Sequence, residues 1–524
     1  MNNHTPLANG GTSSSTSSST SSSSSTASTF DLLIIGAGIS GINTAYRIQS
    51  ELPDYKYAIL EGRNAIGGTW DLFRYPGIRS DSDLFTFGFA WNPWNQNTPI
   101  AEGPALRRYM RETVQKFGID EHIRFHQKVL AADWSRTTNS WTLQVHNQGT
   151  LKTYTARFVA FGTGYYNYNE PLDAAIPGMS SFKGQTIHPQ FWPEDLDYTN
   201  KKVVIIGSGA TAVTLLPNIA KRAAHTIMLQ RSPTYILAMS NRGGGGLLPY
   251  ILPTHLYRRV QRIIWMVTTR LFYSFCQSIP WLARRMIKRA ISAQLPKHIP
   301  YDPHFAPSYN PWDQRLCVSP DGDFFKSLHA GRADVKTDTI KQVTATGIQL
   351  NSGEHLDADI IVTATGLKLQ IAGGIRITVD GKQSIHVPDK YVWNGVMVQD
   401  IPNASFIIGY ANASWTLGAD ATAMFIVRLL KHMETRGLVA AVPRLDAGDA
   451  STLENRRLLT LSSTYVSRAE NSMPKAANRK PWLPRGNYLA DYWFAKYGRI
   501  DECLETVEGE GEGVKLVDSN KKRQ

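Results

Sequence analysis

Two stretches of this 524-residue chain share one pattern: a short, wholly apolar run, a glycine turn, then apolar positions at helical spacing. "FDLLIIGAGISGINTAYRI", starting at Phe30, predicts a buried strand, a turn through Gly36, Gly38 and Gly41, and a helix. "KKVVIIGSGATAVTLL", starting at Lys201, repeats it with Gly207, Gly209 and Ala212 in the small-residue positions. An unbroken apolar run of this length fits a strand covered on both faces, as in a parallel sheet flanked by helices. Each unit is followed by a second strand, "YKYAILE" ending in Glu61 and "HTIMLQRSP" running to Arg231. Near the C-terminus "FIIGYANASWTLGADATAMFIVRLLKHM" reads as a strand, a loop carrying Ser414, Trp415 and Thr416, and an amphipathic helix. Between about 240 and 300, "THLYRRVQRIIWMVTTRLFYSF" and "WLARRMIKRAI" set apolar residues at helical spacing opposite arginines. One stretch fits neither period: "FKGQTIHPQFWP", residues 182 to 193, an irregular linker that nevertheless carries Phe182, Gly184, His188, Trp192 and Pro193. The predicted fold is α/β, with two Rossmann-type units, the second interrupted by a helical insertion.

The turns suggest what the two units hold. Three small residues in a G-x-G-x-x-G spacing permit a tight turn, close approach of backbone to a pyrophosphate, and close helix-to-strand packing, with the helix N-terminus facing the phosphates. Glu61, 20 residues after Gly41, is placed to accept hydrogen bonds from a ribose diol. In the second unit Arg231 stands at the strand end, where a guanidinium suits a 2′-phosphate and a carboxylate would repel it. That reads as an NADPH site, against the alternative of a solvated strand-end arginine. Two dinucleotide folds in one chain point to hydride passing from a nicotinamide to a flavin, here FAD. The three cysteines, Cys276, Cys317 and Cys503, form no C-x-x-C, so the electrons do not go to a disulfide; O2 is the remaining common acceptor.

Composition adds three points. The 18 residues from Thr12 to Thr29 are Ser or Thr at all positions but Ala27, so residues 1–29 read as a disordered tail, and no apolar run follows a cationic start. Scattered cysteines with neither a disulfide framework nor a metal knuckle fit a cytoplasmic protein without a metal site. The net charge of +13 is local: Tyr198 to Tyr301 holds 15 of the 56 basic residues and none of the 43 acidic ones. That argues against nucleic-acid binding and for a local anionic partner. Within residues 256–295 the apolar positions Leu256, Val260, Ile263, Ile264, Val267 and Leu271 either pack on the second unit, leaving the arginines solvated, or lie on an anionic membrane surface.

Residues 182–193 match F-x-G-x-x-x-H-x-x-x-W-P at every specified position. Gly67, Gly68, Trp70, Tyr75, Pro76, Gly77 and Asp81 match G-G-x-W-x-x-x-x-Y-P-G-x-x-x-D. On these motifs the chain resembles the class B flavoprotein monooxygenases and, within them, the Baeyer–Villiger monooxygenases, over roughly residues 30 to 500. Trp192 stands where N-hydroxylating and S-oxidising relatives more often have Tyr or Phe. The resemblance implies cofactor contacts by Gly68, Thr69, Trp70 and Asp81, a domain joint at the linker with a second crossing at Thr363–Gly366, and insertion of one oxygen atom of O2 into a ketone. That chemistry builds negative charge on oxygen, which a permanently charged arginine suits. By resemblance the arginine is Arg315, positioned by Asp81; Gln314 stands where many relatives have Lys. His188 is assigned no acid or base role. The expected organisation is a flavin domain at 30–166 and 362–505, a linker at 167–200, an NADPH domain at 201–361 with an insertion at about 240–300, and a tail at 506–524. The substrate is expected to be an apolar ketone, with a place in secondary-metabolite biosynthesis. The alternatives are a hydroxylase or N/S-oxidising enzyme of the same fold and, from another class, a redox-silent NADPH-binding module.

Overall fold

The computed structural model describes residues 28–243, 248–446, 448, 451–509 and 516–517. The apolar run after Phe30 forms the buried strand Ser28–Ile35, which pairs in parallel with Tyr57–Leu60 on one side and Thr150–Phe161 on the other. Ser28 and Thr29 therefore belong to the sheet, against their assignment to a disordered tail; residues 1–27 of that tail lie outside the described residues. The 12-residue strand Thr150–Phe161 has two further partners besides Ser28–Ile35. Its first part closes an antiparallel meander with Ser140–Asn147 and Lys128–Ser135, and its last part pairs in parallel with Ala404–Phe406. With Arg376–Val379 at the edge of the meander, the C-terminal third of the chain returns to this first sheet. The helix Trp415–Thr435 packs on Ile39–Glu51, where the buried Asp420 accepts two hydrogen bonds from Arg47, both 2.9 Å, and one from Asn43.

The second sheet is parallel throughout, in the order Ala333–Thr337, His225–Gln230, Lys202–Ile206, Ile360–Thr363, Gln185–Ile187. Three expected boundaries move. Gln185–Ile187, inside the irregular linker, is an edge strand of this sheet, because three extended residues suffice to pair with Ile360–Val362 and leave no readable alternation. Val362 and Thr363 belong to the second sheet, so the chain crosses back after Thr363. Leu504–Glu508 pairs with Leu438–Pro443, so residues 506–508 are strand and not tail.

The insertion is helical as predicted, in Leu248–Ile251, Thr254–Ser278 and Pro280–Ser292. Ala283, Ile287 and Ile291, one helical face, are buried, the two isoleucines in the core of the second unit. Not all of the arginines are solvated. Arg262 donates to the carbonyls of Phe85 (2.8 Å), Thr86 (3.1 Å) and Gly88 (2.8 Å), and Arg258 to those of Asn95 (2.5 Å) and Gln96 (3.3 Å). The long helix is thus clamped onto the first unit.

Three of the linker residues, Phe182, Gly184 and Trp192, serve packing in this fold. Trp192 lies in the core of the second unit, edge-on to Tyr198 at 6.4 Å. Phe182 packs against the small cluster of Val343, Ile348 and Leu350, and Pro193 is exposed. A Cβ at Gly184 would stand 2.2 Å from the Asp359 carbonyl and 2.6 Å from the Phe182 ring. Gly184→Ala is expected to lower stability by about 1–3 kcal/mol through overpacking of this edge. An unfolding midpoint that drops in Gly184→Ala and stays put in Gly486→Ala, where a Cβ meets nothing within 4 Å, is the check.

Candidate functional site

Both glycine turns open onto one cavity of about 1010 Å³, the upper end of the size that encloses small-molecule ligands. At the first turn Gly36 adopts φ +101°, and a Cβ at Gly41 would stand 1.9 Å from the Gly36 carbonyl, so backbone fills the place of a side chain. The helices begin at Gly38 and Gly209, and neither start is capped by a side chain. Their first N–H groups are left for a ligand, and an anion suits them. A Cβ at Gly209 would meet nothing within 4 Å, whereas Ala212 is fully buried, so the second turn also presents bare backbone to the cavity. Glu61 is buried, its oxygens accepting from the N–H groups of Ala37 (2.8 Å) and Arg63 (2.9 Å). Burial raises its pKa, and those N–H groups oppose the rise. A carboxylate has about four acceptor positions, so Glu61 shapes the turn and still faces the cavity with capacity for a diol.

The segment from Gly67 to Asp81 joins the units. Gly67 and Gly68, at φ +116° and +55°, lie beside the first turn, Thr69 shares a 3.0 Å hydrogen bond with Tyr168, and Trp70 sits edge-on to Phe87 at 5.7 Å. Asp71 gathers Arg63 (2.7 Å), Arg74 (3.0 Å) and Arg107 (3.7 Å), a local excess of cations near the cavity. Then Phe73, Tyr75 and Ile78 enter the core of the second unit, and a Cβ at Gly77 would stand 1.9 Å from the side-chain amide of Asn218. Arg79 is buried and donates to Asp323 (2.7 Å) and to the Val318 carbonyl (2.9 Å).

Asp81 and Arg315 both line the cavity, and the structure does not join them by an ion pair or hydrogen bond. Arg315 donates to the carbonyls of Tyr410 (2.8 Å) and Ala411 (3.1 Å), which lie just past the first sheet's Ala404–Phe406 strand. Asp81 faces Arg79 at 3.8 Å, its Oδ1 and the Arg79 Nε both buried without a hydrogen-bond partner. The expected positioning of Arg315 by Asp81 is therefore electrostatic and not a contact. The Asp81 side chain is 24% exposed, and that exposure is to the cavity; burial pushes its carboxyl up to about 6, against the pull of Arg79. At Arg315 burial opposes the charge, and Tyr165, Tyr465, Tyr166 and Asp81 outweigh it, leaving the pKa raised. Trp415 stacks on Tyr165 at 4.8 Å and donates to Ser40 at 2.9 Å, forming a flat aromatic wall beside the first turn.

Arg231 borders the same cavity, makes no ion pair among the described residues, and touches Thr464 at 3.3 Å. His188 is outside the cavity lining; its Nδ1 accepts from the Gln190 N–H at 3.3 Å, and burial lowers its pKa. Among the described residues no cluster of His, Cys, Asp and Glu could hold a metal ion.

The chain matches the flavin-binding monooxygenase-like family over residues 89–372 and an NAD(P)-binding Rossmann-like domain over 34–112. It belongs to that family of monooxygenases. It is 46% identical over 477 residues to the FAD-containing monooxygenase EthA of Mycobacterium tuberculosis, covering 90% of this chain and 96% of that protein. It is 46% identical over 475 residues to a probable FAD-binding monooxygenase, AlmA, of Acinetobacter baylyi, covering 90% and 95%. Its fold is that of a steroid monooxygenase bound to NADP (TM-score 0.73, 18% identity, 92% of this chain and all of that one). It is also that of the cyclohexanone monooxygenase of Rhodococcus sp. Phi1 bound to NADP+ (TM-score 0.71, 19% identity, 94% and 99%).

Within this monooxygenase fold the sequence reading missed Arg79, the arginines around Asp71, and Tyr165, Tyr166 and Tyr465. Arg79 sits in an unspecified position of the Gly67–Asp81 motif, and Tyr465 meets the Tyr165–Tyr166 pair only through tertiary packing. The Asp81 carboxyl supplies a pH test. Its folded pKa, about 6, lies above the ordinary 3.8, so ionisation works against the fold. Its contribution to stability is present at acid pH and is lost as pH rises through about 6. Asp81→Asn should remove this downward component of the stability profile between about pH 4 and 6, read from unfolding midpoints across that range; a profile identical to wild type would show that Asp81 does not titrate there.

Proposed function

We propose that this flavin- and NADPH-dependent monooxygenase is a Baeyer–Villiger enzyme acting on an apolar ketone. The observation that carries the proposal is Arg315: a fixed guanidinium on the wall of the cavity onto which both dinucleotide turns open, in a lining that includes Trp415, Tyr165 and Phe87. The turns fit two dinucleotides, since backbone replaces side chain at Gly36 and Gly41 and both helix starts are uncapped. When bound, FAD supplies the hydride acceptor and oxygen-activating centre, and NADPH the two electrons.

The protein's part is to bind, orient and stabilise charge. The N–H groups after Gly38 and Gly209 bind the pyrophosphates, Glu61 accepts from the ribose of the first dinucleotide, and Arg231 binds the 2′-phosphate of the second. Arg315 stabilises negative charge as it grows on oxygen, and because guanidinium does not release its proton it does so without quenching that charge. Asp81, reaching Arg315 through the field inside the cavity, favours its cationic form. The balance is ketone, O2, NADPH and one proton in; ester or lactone, water and NADP+ out. The Trp192 linker signature supports this reading over hydroxylation and heteroatom oxidation, between which the fold does not discriminate.

Two substitutions test it. Arg315→Ala should keep its FAD and still consume NADPH, at an altered rate, while forming hydrogen peroxide in place of ester. Wild-type ester yields from the variant, or a wild-type enzyme that oxidises sulfides and amines but no ketone across a substrate panel, would overturn the proposal. Arg231→Ala should lose about 10- to 150-fold in kcat/KM with NADPH, the loss expected for one charged hydrogen bond, and little with NADH. Equal losses with both coenzymes would remove Arg231 from the phosphate.

A further inference from the structure

We infer that the helical insertion docks the enzyme on an anionic lipid bilayer. The long helix Thr254–Ser278 has its inner side fixed: Arg258 and Arg262, one turn apart, grip carbonyls of residues 85–96. At about 100° per residue Val267 falls on the opposite side from Arg258. There the apolar positions are open to solvent, with Leu256 41%, Ile263 54%, Val267 50% and Leu271 64% exposed. A helix turned the other way would bury this stripe, so the clamp and the stripe are two faces of one orientation. Pro280–Ser292 repeats the arrangement. Ala283, Ile287 and Ile291 are buried, and Trp281 at 66% and Met286 at 57% point out.

The surroundings of the stripe select the occupant. Exposed Arg259, Arg270, Arg285, Lys288 and Arg289 lie among the apolar residues, and no acid occurs between Tyr198 and Tyr301. A second copy in a two-fold contact would bring this patch against itself, cation on cation. An anionic bilayer meets both demands: acyl chains take the aliphatic and indole surface, and headgroups take the guanidinium groups. The helix lies on the membrane and does not cross it, since no helix among the described residues is long and apolar enough to span. The docked helix also connects to the cavity. The carbonyls held by Arg262 flank Phe87, which lines the cavity and whose own carbonyl accepts from Thr416 at 2.5 Å.

Flotation of the full-length, FAD-loaded enzyme tests this. It should float with vesicles of phosphatidylcholine and phosphatidylglycerol at low salt, be released at about 0.5 M salt as headgroup attraction is screened, and stay behind with phosphatidylcholine alone. Ile263→Ser/Val267→Ser/Leu271→Ser should abolish flotation, and Arg285→Glu/Arg289→Glu should weaken it by more than about tenfold; both should keep bound FAD and NADPH oxidation. The wild-type lipid and salt dependence stands as a test without any variant. Absence of flotation on anionic vesicles at low salt, equal flotation on neutral ones, or full flotation of the triple serine variant overturns the inference. So does a dimer that the triple variant splits into monomers, which would put a second copy on the stripe.

Discussion

The relation between the two sheets depends on Arg79. Its side chain is 5% exposed, its guanidinium is bound to Asp323 and the Val318 carbonyl of the second unit, and its backbone follows a segment that begins at the first glycine turn. A buried charge of this kind tolerates no loss of partner, since a stranded ion costs about 3–5 kcal/mol. Phe73, Tyr75 and Ile78 add apolar burial in the second core, and Gly77 lets the backbone come against Asn218. Because the same dozen residues also carry Gly67, Gly68 and Thr69 beside the first turn, the distance between the two dinucleotide sites is set by short covalent geometry. The spacing of that motif is thus a ruler between two sites as well as a set of contacts to one.

Charge is handled by two different means in this molecule. Where a cation serves structure, as at Arg47 and Asp420 or Arg79 and Asp323, it is matched to a carboxylate in close geometry. Two arginines of the cavity lining lack a carboxylate partner: Arg315 is held by carbonyls and Arg231 by the Thr464 hydroxyl. A carbonyl orients a guanidinium without neutralising it, so the positive charge stays available to an incoming anion. Asp81 is the exception, a carboxylate within the field of two arginines and hydrogen-bonded to neither side chain; burial raises its pKa, and the pull of the arginines does not cancel the rise.

The α/β class and both turns were legible because they rest on local rules: apolar runs, glycine at φ values no other residue adopts easily, and a helix beginning where the run ends. Arg315 and Asp81 were found through motif resemblance, and the cavity does bring them together, but their relation was misjudged. Sequence spacing says nothing of Arg79, which stands beside Asp81 in space and takes the place expected of Arg315. The linker failed as a sequence reading for a different reason. Three paired residues, Gln185–Ile187, are too few for alternation to show, and the edge strand exists only because Ile360–Thr363 offers it a partner. The arginines of the insertion were read as one row, either solvated or on a membrane surface; helical periodicity separates a clamp face from an open face only once it is known what Arg262 can reach.

The remaining constraint concerns movement. The short helix Thr464–Arg468 touches three things at once. Thr464 meets Arg231 of the second unit, Tyr465 lies within the electrostatic reach of Arg315, and the Tyr465 Cβ would meet a Cβ on Gly366 at 2.8 Å, at the crossing between the sheets. Gly366 has φ +114°, so the crossing takes a form that a side chain would resist, and the absent side chain is what makes room for Tyr465. Any rotation of the second sheet about its two connections, the linker and this crossing, must therefore slide Arg231 past Thr464 while Tyr465 stays packed at the pivot. The contact to Arg231 is a single exposed hydrogen bond at 3.3 Å and breaks at little cost, whereas the packing at Gly366 does not. The Arg231 side of the cavity is thus joined to the first unit by one weak contact, whereas the Arg315 side is tied to two of that unit's carbonyls.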